Sequence, residues 1–394
     1  MRIAIFSDTF LPQTNGVATV VHQSAMALSE LGHEVCVVTA SKYSAEKLEK
    51  ITGGSYQVIN ALSLPFIGYS GERLTLPVGW SLSKVKAFKP DVLHSHTPFG
   101  VGWEAVLCAK RLKVPLVGTH HTFFDHYLKH IKMDYNWSKK LSWAIFTKYF
   151  NACSLILSPS AALASALKEH GLEPRTEVIF NPADTARFFV LSPKEKNDLR
   201  KQLGWHEPTI VYMGRVSYEK SIEQVIQAFA SVAKKYKQAE LVIVGDGPER
   251  KKLMELSKEL SINKKVKFLG ALYGDDLVKA LQASDFFVTA SKSENMPASI
   301  IEAMACGLPT IGVDSNGMPE IVRDQQTGLL AQPDDVVGIA DRMLTLITDQ
   351  KLRQKLSVGA SAFAKSLSRD EVARKLIIYY QQVINEKHEN LSLS

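Results

Sequence analysis

Two glutamates eight positions apart, Glu294 and Glu302, are the acidic residues of this chain whose spacing best fits a ligand site. Glu294 falls in a polar loop after the short apolar run Phe286 to Ala290, while Glu302 lies within Ala298 to Cys306, whose Ala, Ile, Glu and Met content predicts a helix. Pro297 is tolerated in a first helical turn, and Gly307-Leu308-Pro309 stops the helix before a further strand, Thr310 to Val313. Side chains on a helix lean toward its N-terminus, so Glu302 points at the crevice that Glu294 enters. The helix start adds free amides and positive potential, which suit a diphosphate. Carboxylate acceptors beside an anion site fit a ligand that carries both hydroxyls and phosphates, such as a nucleotide sugar. The same spacing also fits two ordinary solvated glutamates.

Arg215 and Lys220 stand in Gly214-Arg215-Val216-Ser217-Tyr218-Glu219-Lys220, between a strand from Thr209 to Met213 and a helix from Ser221 to Lys234. A guanidinium fork and a mobile ammonium beside a helix start make a diphosphate clamp, although loop cations are often simply solvated. Gly245-Asp246-Gly247-Pro248 repeats the strand-to-turn pattern after Leu241 to Val244, and a turn-forming role explains its glycines equally well. In the first half, His94-Ser95-His96 and Thr119-His120-His121-Thr122 end two strands. A histidine there serves as general base, as hydrogen-bond partner of a hydroxyl, or as metal ligand. With no acidic or cysteine partner at ligand spacing, no metal site is expected. Asp275-Asp276 and Asp334-Asp335 sit at expected helix starts and read as caps.

These residues need a scaffold, and the chain supplies alternating strands and helices. Arg2 to Ser7, a loop from Asp8 through Gly16, a helix to about Leu31 and a strand from Glu34 to Thr39 form a βαβ unit. The Gly16 loop lacks a Gly-x-Gly-x-x-Gly pattern, yet a glycine at this turn permits close approach of a ligand. Strands follow at Tyr56 to Asn60, Asp91 to Ser95, Leu116 to Gly118 and Ser154 to Ser158. The alternation predicts an α/β protein with doubly wound sheets. A length of 394 residues suits two domains, 1–184 and 185–369, with a linker near 181 to 205 and a last helical segment, 370–394. Beyond Thr327-Gly328 the chain reads as helical to about Lys387.

The composition, 45% hydrophobic and 22% charged, excludes a fibrous or disordered chain. The isolated cysteines Cys36, Cys108, Cys153 and Cys306 read as buried apolar residues of a reducing compartment. The opening apolar run is too short for a signal sequence and no run is long enough to span a bilayer, so a cytoplasmic protein is expected. Most of the net charge of +7 belongs to the first half and points to an anionic partner there. Residues 123–150 mix Lys129, Lys132, Lys139, Lys140 and Lys148 with Tyr135, Trp137, Trp143 and several phenylalanines. That is the pattern of a helix lying on an anionic membrane surface. The plainer reading packs Leu141, Ala144, Ile145 and Phe146 on the core and leaves the lysines solvated. Nucleic acid is a weaker option, because no binding module accompanies the pattern.

Glu294, seven intervening residues, Glu302 and Ala303-Met304-Ala305-Cys306-Gly307-Leu308-Pro309 resemble the signature of retaining glycosyltransferases of family 4. Gly214-Arg215 with Glu219-Lys220, and Thr119-His120-His121-Thr122, match further motifs of that family. The resemblance implies the GT-B fold, two Rossmann-like domains facing a central cleft, with a final helix that crosses back to the first domain. It implies that the first domain binds acceptor and the second a nucleotide sugar, with closure about residues 181 to 205. It assigns Glu302 to the ribose, Glu294 and His121 to the sugar, and Arg215 and Lys220 to the leaving diphosphate. Gly16, Asp246, Asn295, Met296 and Pro297 complete the implied donor site, with Asn295 standing where many members have a glycine. Lys129, Lys132, Trp137, Lys139, Lys140 and Trp143 would face membrane and acceptor.

The implied reaction is glucosyl transfer from UDP-glucose to diacylglycerol by a peripheral membrane protein, without metal or other cofactor. The alternatives are mannosyl transfer from GDP-mannose to phosphatidylinositol and transfer to a soluble or polysaccharide acceptor. A non-catalytic protein that docks on membranes or senses nucleotide sugars is the reading from another class.

Overall fold

The computed structural model describes residues 1–13, 15–65, 73–121 and 135–392. The chain divides into two compact units, Met1–Pro182 with Arg369–Ser394, and Ala183–Ser368.

The first unit holds the strands β1 (Arg2–Ser7), β2 (Glu34–Thr39), β3 (Gln57–Asn60), β4 (Leu64–Pro65), β5 (Arg73–Leu74), β6 (Val92–Ser95), β7 (Leu116–Thr119), β8 (Leu155–Ser158) and β9 (Thr176–Val178). Seven of them make a parallel sheet in the order β3-β2-β1-β6-β7-β8-β9, and β4 pairs with β5 in a small antiparallel hairpin. Alternation along β1 sends Ile3 and Ile5 to one face and Ala4 and Phe6 to the other. Helix Gly16–Glu30 and the last helix, Arg369–Ser392, cover the first face through Val21, Ala25, Leu28, Leu376 and Tyr380. Helices Gly100–Leu112 and Asn136–Phe150 cover the second through Val101, Ala105, Trp143 and Phe150. A parallel sheet wrapped on both faces by helices is the doubly wound arrangement that the alternation predicts.

The second unit holds β10 (Thr209–Met213), β11 (Glu240–Val244), β12 (Val266–Gly270), β13 (Phe286–Val288), β14 (Thr310–Val313) and β15 (Gly328–Ala331). They form one parallel sheet in the order β12-β11-β10-β13-β14-β15. Helix Ile222–Lys235 presents Val225, Ile226, Phe229 and Val232 to the core that contains Ile210, Phe286 and Ile311.

Three expectations are corrected. Residues 193–203 are not linker: Pro193–Leu203 is a helix whose Ser192 and Glu195 form a capping box. Its buried Arg200 pairs with buried Asp285, whose other oxygen accepts from the Thr209 amide at 2.8 Å, so the helix is fixed to the second sheet. The stretch after Thr327 opens with strand β15, not a helix, because Gly328–Ala331 adds a short apolar edge to β14. Asp335 caps helix Val336–Thr348, whereas Asp334 ion-pairs with Lys292.

Candidate active site

In an open parallel sheet, ligands bind beyond the carboxyl ends of the strands where the strand order reverses. In the second unit that point lies between β10 and β13, because β11 neighbours β10 on one side and β14 neighbours β13 on the other. The loop after β10 carries Arg215 and Lys220, and the loop after β13 carries Glu294. The topology therefore brings the sequence-predicted cations and carboxylate to one place.

Lys220 Nζ donates to Glu294 Oε1 at 2.6 Å, with both side chains largely buried. Arg215 is exposed, and its turn is held from beneath. Buried Tyr212 Oη donates to the Arg215 carbonyl at 3.1 Å, and the Val216 amide donates to the Asp246 carbonyl at 3.0 Å. Gly245 and Gly247 allow this close pairing of the two turns. A Cβ on Gly245 would stand 1.8 Å from the Gly214 carbonyl oxygen, and one on Gly247 2.2 Å from that of Val216. Asp246 turns its Oδ1 to the Gly247 amide at 2.8 Å.

Past Glu294, Asn295 and Met296 are buried and Pro297 is the N-cap of helix Ala298–Ala305. That helix start has no side-chain cap among the described residues. Glu302 lies one turn in and is partly buried. Burial pushes its carboxyl up to about 7, against the opposing pull of Arg187 and with a smaller push from Asp184. The second carboxylate thus exchanges its proton near neutrality. Sequence reasoning did not anticipate this, since it depends on how deeply the helix is buried.

In the first unit the strand order reverses between β1 and β6. Gly16 opens helix Gly16–Glu30, and a Cβ there would meet nothing within 4 Å among the described residues. Beside β1, Asp8 accepts from Thr97 Oγ1 at 2.6 Å and from the Val101 amide at 2.8 Å, which ties the loops after β1 and β6 together. His94 Nδ1 bonds Tyr380 Oη at 2.6 Å, and its Nε2 bonds Thr119 Oγ1 at 2.6 Å. His96 Nδ1 and His121 Nε2 lie 3.0 Å apart with their rings stacked. Desolvation lowers all three imidazoles, His94 to about 3 and His121 to about 4, and they are neutral at physiological pH. His121 therefore offers an uncharged imidazole, with its neighbour His96 setting the ring. His120 is buried against the Phe150 ring, as expected of a residue on the opposite face of an extended segment. Tyr380 had no signal in the sequence, because it comes from a helix almost three hundred positions away.

The helix proposed for membrane contact is Asn136–Phe150; Lys129 and Lys132 lie outside the described residues. Trp143 is corrected: it is 6% exposed and stacks on His170 at 3.9 Å between ring centres, so it belongs to the core. Leu141 and Ile145 are exposed instead of packed inward, at 53% and 45%. With Trp137 and Ala144 they form an exposed apolar stripe at helical spacing, bordered by Lys140 and Lys148. No helix among the described residues is long and apolar enough to cross a membrane.

Two doubly wound parallel sheets, with a cation–carboxylate pair and a second glutamate at the switch point of one, place the chain among two-domain Rossmann-like α/β enzymes. The family model for Glycosyltransferase Family 4 matches residues 14–187, and that for Glycosyl transferases group 1 matches residues 195–362. The chain belongs to the family-4 glycosyltransferases, has the GT-B fold and is a hexosyltransferase. Alpha-monoglucosyldiacylglycerol synthase of Streptococcus pneumoniae is 29% identical over 93% of this chain and 84% of its own. A GDP-mannose-dependent alpha-mannosyltransferase of Mycobacterium tuberculosis is 27% identical over 97% of both. Among solved structures, Anabaena HepE in complex with UDP superposes with a TM-score of 0.79 at 20% identity, over 97% of this chain and 100% of its own.

Proposed function

We propose that the protein transfers glucose, with retention, from UDP-glucose to diacylglycerol at the cytoplasmic face of a membrane. The observation that carries this reading is the grouping of Lys220, Glu294, Arg215 and Glu302 around the switch point of the second sheet. In this reading the second domain holds the donor and the first receives the acceptor. Glu302 accepts from the ribose hydroxyls, and Glu294, with His121, orients the sugar. Over the whole transfer the bond between the anomeric carbon and the diphosphate oxygen is replaced by one to the acceptor oxygen, and the acceptor's hydroxyl proton leaves with the released diphosphate or to solvent. Negative charge then builds on the leaving diphosphate, where Arg215, Lys220 and the amides of helix Ala298–Ala305 stabilise it. With two cations assigned to that charge, the reaction runs without a metal ion. Gly16, Asp246, Asn295, Met296 and Pro297 shape the donor site.

The glucolipid choice draws on the pneumococcal relative, and the alpha linkage in both relatives' names fits retention. The exposed stripe of helix Asn136–Phe150 supports a membrane-bound acceptor, because Trp137, Leu141 and Ile145 would settle among lipid headgroups flanked by lysines. The mannosyltransferase relative favours a second reading, GDP-mannose with phosphatidylinositol. Incubation with radiolabelled UDP-glucose or GDP-mannose and vesicles containing diacylglycerol or phosphatidylinositol decides between them. Label in the organic phase only with UDP-glucose and diacylglycerol is the expected result, and transfer only to water-soluble acceptors would sink the lipid reading. Glu294→Ala is expected to lose at least about a hundredfold in turnover; full turnover would revive a non-catalytic role.

A further inference from the structure

The turn after β14, Ser315-Asn316-Gly317, grips the loop that carries Glu294 on both sides of that residue. Asn316 Nδ2 donates to the Lys292 carbonyl at 2.6 Å, and Ser315 Oγ donates to the same oxygen at 3.1 Å. Asn316 makes its bond from the left-handed region, at φ 50°, which asparagine tolerates better than most residues. On the other side of Glu294, a Cβ on Gly317 would stand 2.1 Å from the Asn295 carbonyl oxygen, so the two backbones touch. Gly317 and Asn295 are both buried. Lys292 is held a second time from outside, because its Nζ bonds both oxygens of Asp334 at 2.8 and 2.9 Å while Gln224 Nε2 donates to Asp334 at 2.8 Å.

We infer that Asn316 and Gly317 are positioning residues for the reaction: they set where Glu294 meets the donor sugar. The inference rests on the donor-site reading above. Lys292 and Asn295 bracket Ser293 and Glu294, so fixing both carbonyls fixes the start and end of a very short span. Shifting either anchor moves the Glu294 carboxylate relative to the sugar. The Arg215 end of the β10 loop is held by Tyr212 and the Asp246 turn, while its far end meets the Glu294 loop through the Lys220–Glu294 pair and the Ser291 and Ser293 hydroxyls on the Glu219 carbonyl. With Arg215 anchored apart from the Glu294 loop, loss of the anchors should weaken nucleotide binding far less than it impairs transfer and the choice of sugar.

Gly317→Ala forces a methyl into backbone and should lower kcat about a hundredfold, the scale expected for a 1 Å misplacement in a reacting site. Asn316→Asp keeps a residue that tolerates the left-handed region but replaces the amide donor with an acceptor, and should lower kcat about tenfold. It should also reduce the preference for UDP-glucose over UDP-galactose, measured as the ratio of kcat/KM values. UDP affinity by titration calorimetry should fall far less than kcat in Asn316→Asp, and the Tm of that variant should match wild type. Unchanged kcat and sugar preference in Asn316→Asp would overturn the inference, as would a fall in UDP affinity and Tm in proportion to kcat. If Gly317→Ala does not fold, Asn316→Asp and Asn316→Gly carry the test. Wild-type protein that moves no sugar from any nucleotide donor would overturn the donor reading itself, a result distinct from a normal wild type with indifferent variants.

Discussion

Lys220 and Glu294 form an ion pair, whereas Glu302 is desolvated with no bonded cation among the described residues, and that difference sets a pH dependence. A carboxyl raised from 4.5 to about 7 favours folding in its protonated form. That contribution is full below about 4.5 and is lost as pH rises through 7. Bound ribose hydroxyls reward the ionised form, so UDP should bind more tightly as pH rises from 6 to 8, by up to about tenfold over that whole range. Glu302→Gln should remove this component. UDP's own terminal phosphate titrates in both proteins, so calorimetric titrations of the two across that range isolate Glu302; parallel curves would contradict its role. The spacing of the two glutamates was legible because a loop and the following helix share one strand end. The pairing with Lys220 was not, since spacing along the chain carries no register between loops that the sheet brings together.

Most strands and helices were readable from apolar runs bounded by glycine and proline, and their limits moved by only one or two residues. The failures have local causes. Pro193–Leu203 is so polar that it reads as linker, but Arg200, bonded to Asp285 and to the Ala283 carbonyl, ties it to the second unit. Gly328–Ala331 is too short for its alternation to register. The Asn136–Phe150 helix has aromatics on both faces, so composition alone does not say which ones face inward. That division gives a test with two opposite outcomes. Trp143→Ala should destabilise the protein by about 3–5 kcal/mol, as loss of a large buried ring does. Trp137→Ala should leave the denaturation midpoint unchanged and weaken co-sedimentation with anionic vesicles. Lys139→Glu with Lys140→Glu should weaken it further, most at low salt. Vesicle binding that survives both changes would remove this helix from the membrane-contact reading.

The first unit is discontinuous, and its core is closed by the last helix. Val372, Ala373, Leu376, Tyr380, Val383 and Ile384 sit in the same apolar cluster as Ile3, Val21 and Leu28. Leu376→Ala should cost about 2–5 kcal/mol, read from denaturant unfolding, and should act on the first sheet although the residue lies in the final segment. Intrinsic fluorescence of the first unit's tryptophans, lost at lower denaturant, is the expected signature. A synthesis order follows from this arrangement. Domains ordinarily fold as they emerge, first-made first. Here Val21, Ala25 and Leu28 have no terminal helix to cover them until the whole of the second unit has been translated. The half made first is thus the half finished last, and for that interval its uncovered face is the one most in need of a chaperone.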